Sequence, residues 1–363
     1  MNLKVPEHIL SIPPYVPGKP VEEVERERGI RNSVKLASNE NPLGPSPKAL
    51  AALRRALPSV HRYPDSSGYE LIHKLAGRLR LDPEQIVLGN GSDDIIGLLA
   101  RSFLRPGDEV IIPKPSFQMY EIEARAAAAV PVEVPLKGFR TDLEAMAARL
   151  TARTRIVFVN TPHNPTGSLV TRSELEAFMA RLPADVILVL DEAYIEFVRD
   201  PAGPDSLEFV RAGGPVVGLR TFSKAYGLAG LRIGYGLMPA HMAGILNRVR
   251  QPFNVNLPAQ AAAAAALDDS EFLKETLRVV HEGVDYLHGA LTKLGLKCLP
   301  TQSNFLMLQV PGDAGEVFEG LLDRGVIVRP LASYGYPDCI RVSTGRPEEN
   351  RRFVEALRLV LAL

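Results

Sequence analysis

The sequence predicts an α/β protein: a large unit on a mainly parallel central sheet flanked by helices, followed by a smaller α+β unit. Three observations carry this reading. Short, nearly unbroken apolar runs rich in Val and Ile recur at 110–112, 156–159, 186–190 and 216–219, as strands buried on both faces require. Helical patterns separate the early runs, as in units that cross over between parallel strands. After Pro258 the order changes to one long helical pattern and then a cluster of strands. A length of 363 residues suits about two domains at roughly 150 residues each.

Taken in order, residues 1–40 read as an irregular arm that packs with the smaller unit. Pro6, Pro13, Pro14, Pro17, Gly18 and Pro20 forbid a continuous helix there. A short strand is expected at 34–37, then the punctuated stretch Asn39-Glu40-Asn41-Pro42-Leu43-Gly44-Pro45. The large unit spans 41–257. Ser46 before Pro47 is an N-cap with a first-turn proline, opening a helix to about Leu57. A strand at 86–88 leads through Gly89-Asn90-Gly91-Ser92-Asp93-Asp94 into a helix ending near Phe103. Strands at 110–112 and 130–134 flank a helix at 116–129, and a strand at 233–237 closes the series. The smaller unit spans 258–363. The mostly alanine run 259–267 reads as a buried helix, followed by a helix at 270–294, strands at 304–310, 325–329 and 339–343, and a final helix from Pro347.

Composition excludes several function classes. Lys plus Arg and Asp plus Glu are both 42, so the chain has no net basic field for nucleic acid or anionic lipid. Trp is absent and aromatics are 6%, which leaves few stacking surfaces for bases. No run approaches the roughly 20 apolar residues of a membrane span, and the first ten residues lack the apolar stretch of a signal peptide, so a cytoplasmic protein is expected. Cys298 and Cys339 form no CxxC pair and have no histidine at ligand spacing, so neither a metal site nor a disulfide is expected.

Four local patterns carry chemistry. Gly89-Asn90-Gly91-Ser92 between a strand and a helix offers free N–H groups and a positive dipole end to a phosphate, although an ordinary capped turn has the same composition. Asn160-Thr161-Pro162-His163-Asn164-Pro165-Thr166-Gly167 follows a strand, at the sheet edge where ligands of open α/β sheets bind. Asp191 ends a buried strand, where a carboxylate needs a cationic or donor partner. Lys224 and Arg232 lie among small residues between two strands, and a lysine in a partly desolvated pocket has a lowered pKa and acts as an amine nucleophile. A phosphate cradle, an amide donor, a strand-end acid and a sheltered lysine together meet the needs of pyridoxal 5′-phosphate.

With these residues the sequence resembles the pyridoxal-phosphate aminotransferases of the aspartate aminotransferase fold, fold type I. The most specific pieces are Thr221-Phe222-Ser223-Lys224 with Leu231-Arg232-Ile233-Gly234, and His163-Asn164-Pro165-Thr166-Gly167. Arg62-Tyr63-Pro64 and Asn39-Glu40-Asn41-Pro42 resemble the histidinol-phosphate branch. The resemblance implies that Lys224 forms the Schiff base and then shuttles a proton, and that Asp191 pairs with the pyridinium nitrogen. Asn164 and Tyr194 would bond the ring's O3′, and Gly91, Ser92, Ser223 and Arg232 would hold the phosphate. Phe117 would stack on the ring, where many relatives have Tyr or Trp. Asp93 is expected to point away from the phosphate or to cap the helix. Tyr63 would reach the phosphate from the neighbouring subunit, which implies a homodimer with composite sites. Tyr15, Asn39, Arg329 and Arg341 are implied substrate contacts.

The function so implied is transamination between L-histidinol phosphate/imidazole-acetol phosphate and glutamate/2-oxoglutarate in histidine biosynthesis, the amino group passing from glutamate to imidazole-acetol phosphate. Two alternatives share the motifs: an aromatic or broad-specificity aminotransferase, and a threonine-phosphate decarboxylase. A ligand-binding module without turnover is a third, disfavoured by the presence of Lys224.

Overall fold

The strands of this computed structural model, which describes residues 3–15 and 20–363, fall into three sheets. In chain order they are β1 (Val34–Lys35), β2 (Ile86–Gly89), β3 (Glu109–Lys114), β4 (Val130–Pro135), β5 (Thr154–Asn160), β6 (Ile187–Asp191), β7 (Val216–Thr221), β8 (Gly234–Leu237), β9 (Lys297–Cys298), β10 (Phe305–Gln309), β11 (Val326–Ile327), β12 (Arg329–Pro330) and β13 (Cys339–Ser343).

The large sheet has seven strands in the order β2-β8-β7-β6-β5-β3-β4. β8 alone runs against its neighbours; the other pairings among the described residues are parallel. Alternating residues of each strand enter different cores. Val110, Ile112, Ile156, Phe158 and Val189 pack against Ile95, Leu98 and Leu99 of the helix Ser92–Phe103. Ile111, Val157, Val159, Leu188 and Leu190 pack on the opposite face against Met146, Leu175 and Phe178. Helices therefore cover both faces, which is why these strands read as continuous apolar runs.

The helix Leu257–Leu267, mostly alanine, lies against Pro47–Ala56, which presents Ala49, Ala52 and Ala56 as buried residues. Small side chains on both partners let the two backbones approach. The expected break between residues 257 and 258 thus falls at the start of a helix whose packing belongs with the large sheet; the change of core comes later, along Ser270–Lys293, whose Val280, Val284, Leu287 and Leu291 enter the core of the second sheet. That sheet is antiparallel, in the order β12-β13-β10-β9.

The arm is more regular than expected. After Pro20 a helix spans Val21–Arg28, with Glu22 and Glu23 in its first turn, Arg26 and Arg28 in its last, and Gly29 left-handed at its end. Pro17 and Gly18 lie outside the described residues. Val24 is buried against Ala37, Leu322 and Ile327, and β1 pairs in parallel with β11. The single strand expected at 325–329 is instead two: β11 serves the arm, whereas β12 joins the four-stranded sheet. The helix expected at 116–129 is confined to Met119–Ala126, because the turn before it places Phe117 in a cavity.

Candidate active site

Asn160 ends β5, Asp191 ends β6 and Thr221 ends β7, so three adjacent parallel strands bring polar residues to one edge of the sheet. The loops after them, the N-terminus of Ser92–Phe103 and residues 37–40 of the arm enclose a cavity of about 400 Å³. Tyr15, Asn39, Ser92, Phe117, Asn164, Asp191, Tyr194, Ser223, Lys224, Arg232, Arg329 and Arg341 line it.

Lys224 is held by its loop. The Gly227 N–H donates to the Lys224 carbonyl at 3.0 Å, and Asn41 Nδ2 donates to the Ala225 carbonyl at 2.8 Å. Gly227 has φ +68, and a Cβ there would come within 2.1 Å of the Gly44 carbonyl oxygen, so only glycine permits this packing. Asn41 and Gly44 of the early Asn-Pro motif therefore brace the lysine loop. Lys224 Nζ donates to the Ser38 carbonyl at 3.0 Å. Burial, reinforced by Arg341, lowers its amine to a pKa of about 8.

Asp191 is buried and has no cationic side-chain partner among the described residues. Its Oδ1 accepts from the Ala193 N–H at 3.1 Å and its Oδ2 from Tyr120 Oη at 2.5 Å. Burial raises its carboxyl to about 6, against the opposing pull of the Tyr120 bond. The next residue, Glu192, forms an ion pair with Arg220 of β7 at 2.8 Å and accepts from both the N–H and the Oγ of Ser206. This buried network ties the ends of β6 and β7 together.

At the cradle, Gly91 is the residue before Ser92–Phe103, with φ +84. A Cβ on it would lie 2.6 Å from Arg232 Nη2, so the guanidinium rests directly on the glycine. Gly91 thus shapes the cradle although it does not itself line the cavity. The placement expected for Asp93 is corrected here. Asp93 faces the cavity with its Oδ2 3.5 Å from Arg232 Nη2, and burial raises its pKa. Asp94 instead accepts from the Asn90 N–H at 3.0 Å and from Asn254 Nδ2 at 2.8 Å, and among the described residues no side chain caps this helix N-terminus. Arg232 adopts a left-handed backbone, φ 57, which turns its side chain back toward the cradle and gives Asp93 a cation to face.

On the other wall, Arg341 Nη1 donates to Asn164 Oδ1 at 2.5 Å and Nη2 to the Ala37 carbonyl at 2.7 Å; its Nε is buried without a partner. Asn39 Nδ2 donates to Tyr194 Oη at 2.9 Å, and Asn39 Oδ1 accepts from Ser343 Oγ at 2.9 Å. Burial pushes Tyr194 up to about 12. Tyr15 lies near Tyr334, Arg329 and Arg341, its pKa raised chiefly by burial. Tyr63 is not brought into this cavity: it is 81% exposed and stacks on Phe253 at 4.6 Å.

Tyr120 and Tyr334 line the cavity unannounced by any motif, and Asn160, which opens the Asn-Pro motif, joins them. For Tyr120 a signal existed in Phe117-Gln118-Met119-Tyr120, where two aromatics three apart on one helical turn point the same way.

Residues 31–357 match the family described as aminotransferase class I and II. The chain is 49% identical over 360 residues to the histidinol-phosphate aminotransferase of Moorella thermoacetica, covering 99% of this chain and 93% of that protein. It is also 49% identical to histidinol-phosphate aminotransferase 2 of Pseudomonas aeruginosa, covering 98% and 96%. Among solved structures, the Sinorhizobium meliloti histidinol-phosphate aminotransferase in complex with pyridoxal-5′-phosphate superposes with a TM-score of 0.91 at 30% identity, over 100% of this chain and 98% of that one. A Thermus thermophilus aspartate aminotransferase mutant superposes with a TM-score of 0.85 at 27% identity, over 99% and 100%. The fold is that of the aspartate aminotransferases, and the chain belongs to the class I and II aminotransferases, within the histidinol-phosphate aminotransferase family.

Proposed function

We propose that this aminotransferase holds pyridoxal 5′-phosphate in the cavity and transfers an amino group from L-histidinol phosphate to 2-oxoglutarate, or in reverse. The names of its relatives and the cofactor of the Sinorhizobium protein support this reading. The observation that carries it is that the Lys224 amine and the Asp191 carboxylate open onto one cavity with a helix N-terminus and Arg232 at its end. The donor set fits the cofactor. Gly91 leaves room for the Arg232 guanidinium, which with Ser92 and Ser223 would hold a phosphate group. Asp191 would offer a carboxylate to the ring nitrogen, Asn164 and Tyr194 would bond O3′, and Phe117 would offer an aromatic face.

When bound, the cofactor supplies a carbonyl for the amine to attack and a ring that accepts negative charge from the substrate's Cα. The chain's own residues do the rest. Lys224 Nζ, with its lowered pKa, is partly neutral near neutral pH and can take the proton from the substrate's Cα and return it. Asp191 keeps the ring nitrogen positively charged. Arg341, with its unpartnered buried Nε, offers a planar guanidinium to a carboxylate or a phosphate. Arg329 and Tyr15 line the same wall as further anion contacts, and Asn39 orients Tyr194. Two copies of the chain pair so that Tyr63 of each completes the phosphate site of the other. No helix among the described residues is long and apolar enough to cross a membrane.

The test is a panel of amino donors with 2-oxoglutarate and added cofactor, following glutamate. We expect L-histidinol phosphate to give the highest kcat/KM. Equal kcat/KM for phenylalanine or tyrosine would favour a broad-specificity enzyme. Carbon dioxide release from threonine phosphate would favour a decarboxylase.

A further inference from the structure

Tyr120 lies on the helix Met119–Ala126 and is fully buried. Its ring stacks on Phe158 of β5, centroids 4.4 Å apart at 11°, and meets Phe117 edge-on at 5.7 Å. Its hydroxyl reaches Asp191 Oδ2 at 2.5 Å. One side chain therefore touches the aromatic that faces the cavity, the neighbouring strand and the strand-end acid. We propose that Tyr120 is a positioning residue: its phenol O–H keeps the Asp191 carboxylate ionised and aimed into the cavity, while its ring seats Phe117.

The argument is one of charge in a dry place. Among the described residues Asp191 has no arginine or lysine paired with it, and Asp93 and Glu192 both disfavour its charge. Within the chain, the Ala193 N–H and the Tyr120 hydroxyl are what oppose that. The phenol itself stays protonated, because burial and the adjacent carboxylate raise its pKa well above the ordinary value. It is thus a fixed donor. The bond from the hydroxyl to Oδ2 sets which way the carboxylate turns, with the stack on Phe158 as a secondary support for the ring.

The proposal rests on the reading that Asp191 faces the ring nitrogen of pyridoxal phosphate, but its test separates the two. In the cofactor-free chain labelled with 13C at aspartate Cγ, the Asp191 signal is assigned by its loss in Asp191→Asn. Tyr120→Phe keeps the ring and removes the hydroxyl; its Asp191 midpoint is expected to rise by about one pH unit, a tenfold change in acidity. Phe158→Leu, which loosens the stack and leaves the hydroxyl, is expected to move it much less. An unchanged midpoint in Tyr120→Phe, or an equal shift in Phe158→Leu, overturns the proposal. In the loaded chain, Tyr120→Phe is expected to weaken pyridoxal-phosphate retention about tenfold near neutral pH, and unchanged retention also counts against it. A wild-type chain that binds no pyridoxal phosphate would sink the reading of the site while leaving the Asp191 titration as a test of Tyr120.

Discussion

Arg341 and Asn164, 177 residues apart in the chain, meet through a hydrogen bond of 2.5 Å from guanidinium to amide oxygen. β13 of the smaller sheet carries the first, and the loop after β5 of the large sheet carries the second. A residue we propose for the substrate's anion thus holds one we propose for the cofactor.

Arg341→Ala is expected to raise KM for amino donor and acceptor alike, because both anions use the same guanidinium. The loss should be at least roughly tenfold, in keeping with ~1.5–3 kcal/mol for a hydrogen bond to a charged group. Steady-state kinetics with each substrate varied in turn checks this; an effect on only one substrate refutes sharing. Arg341→Lys should not restore activity, since an ammonium cannot reach Asn164 and Ala37 in a planar fork.

Gly91→Ala tests the cradle. The new methyl would sit 2.6 Å from Arg232 Nη2 on a backbone with φ +84. With ψ 168 this backbone is essentially confined to glycine and costs about 1–3 kcal/mol for a residue with a Cβ, and the displaced guanidinium should loosen the cofactor phosphate. Both a lower thermal midpoint and weaker cofactor binding in equilibrium dialysis are expected. A loss of stability alone would mean that Arg232 does not serve the phosphate.

The titrations of Lys224 and Asp191 predict slopes of opposite sign in the cofactor-free chain. Lys224 falls from 10.5 to about 8 on folding, so between those values the native state binds fewer protons than the unfolded one, and stability rises with pH. Asp191 rises from 3.8 to about 6, so the native state binds more protons there, and stability falls as pH climbs through that window. Subtracting the urea-melt profile of Lys224→Met should remove the alkaline rise, and that of Asp191→Asn the acid-side fall. The lysine variant should also lose turnover completely.

Tyr63→Phe is expected to weaken cofactor retention by ~1–2 kcal/mol if a charge-assisted hydrogen bond is lost. Mixing this variant with Lys224→Ala before subunit exchange provides the sharper measurement. Hybrid dimers would contain one site with both wild-type groups, so tight cofactor binding should return in that site. No recovery in the mixture would show that the tyrosine acts within its own subunit or is structural.

The sequence was most readable where side-chain chemistry and local pattern coincide. The buried strands announced themselves because both faces are covered, and Lys224, Asp191 and Asn164 because each follows such a strand. Legibility failed where a residue's role depends on what folds beside it. Asp93 and Asp94 are chemically alike and adjacent; that Asp93 faces the cavity while Asp94 turns to Asn254 depends on that asparagine and on the left-handed turn of Arg232, both distant in sequence. Tyr120 reads as an ordinary core aromatic until β6 brings Asp191 to it. Residues 325–329 form one apolar run, but the arm claims its first half and the four-stranded sheet its second.

The bonds between Asn39 and Ser343 join positions 304 residues apart. Synthesis proceeds from the amino end, so residues 37–40 have no final seat until β13 has been made and has left the ribosome. A nascent chain can pair the strands of the large sheet, yet its cavity stays open on one side until the last tenth of the polypeptide emerges. Loading with the cofactor therefore belongs to the finished chain, and a product truncated before β13 would carry Lys224 and Asp191 without the wall that shelters them.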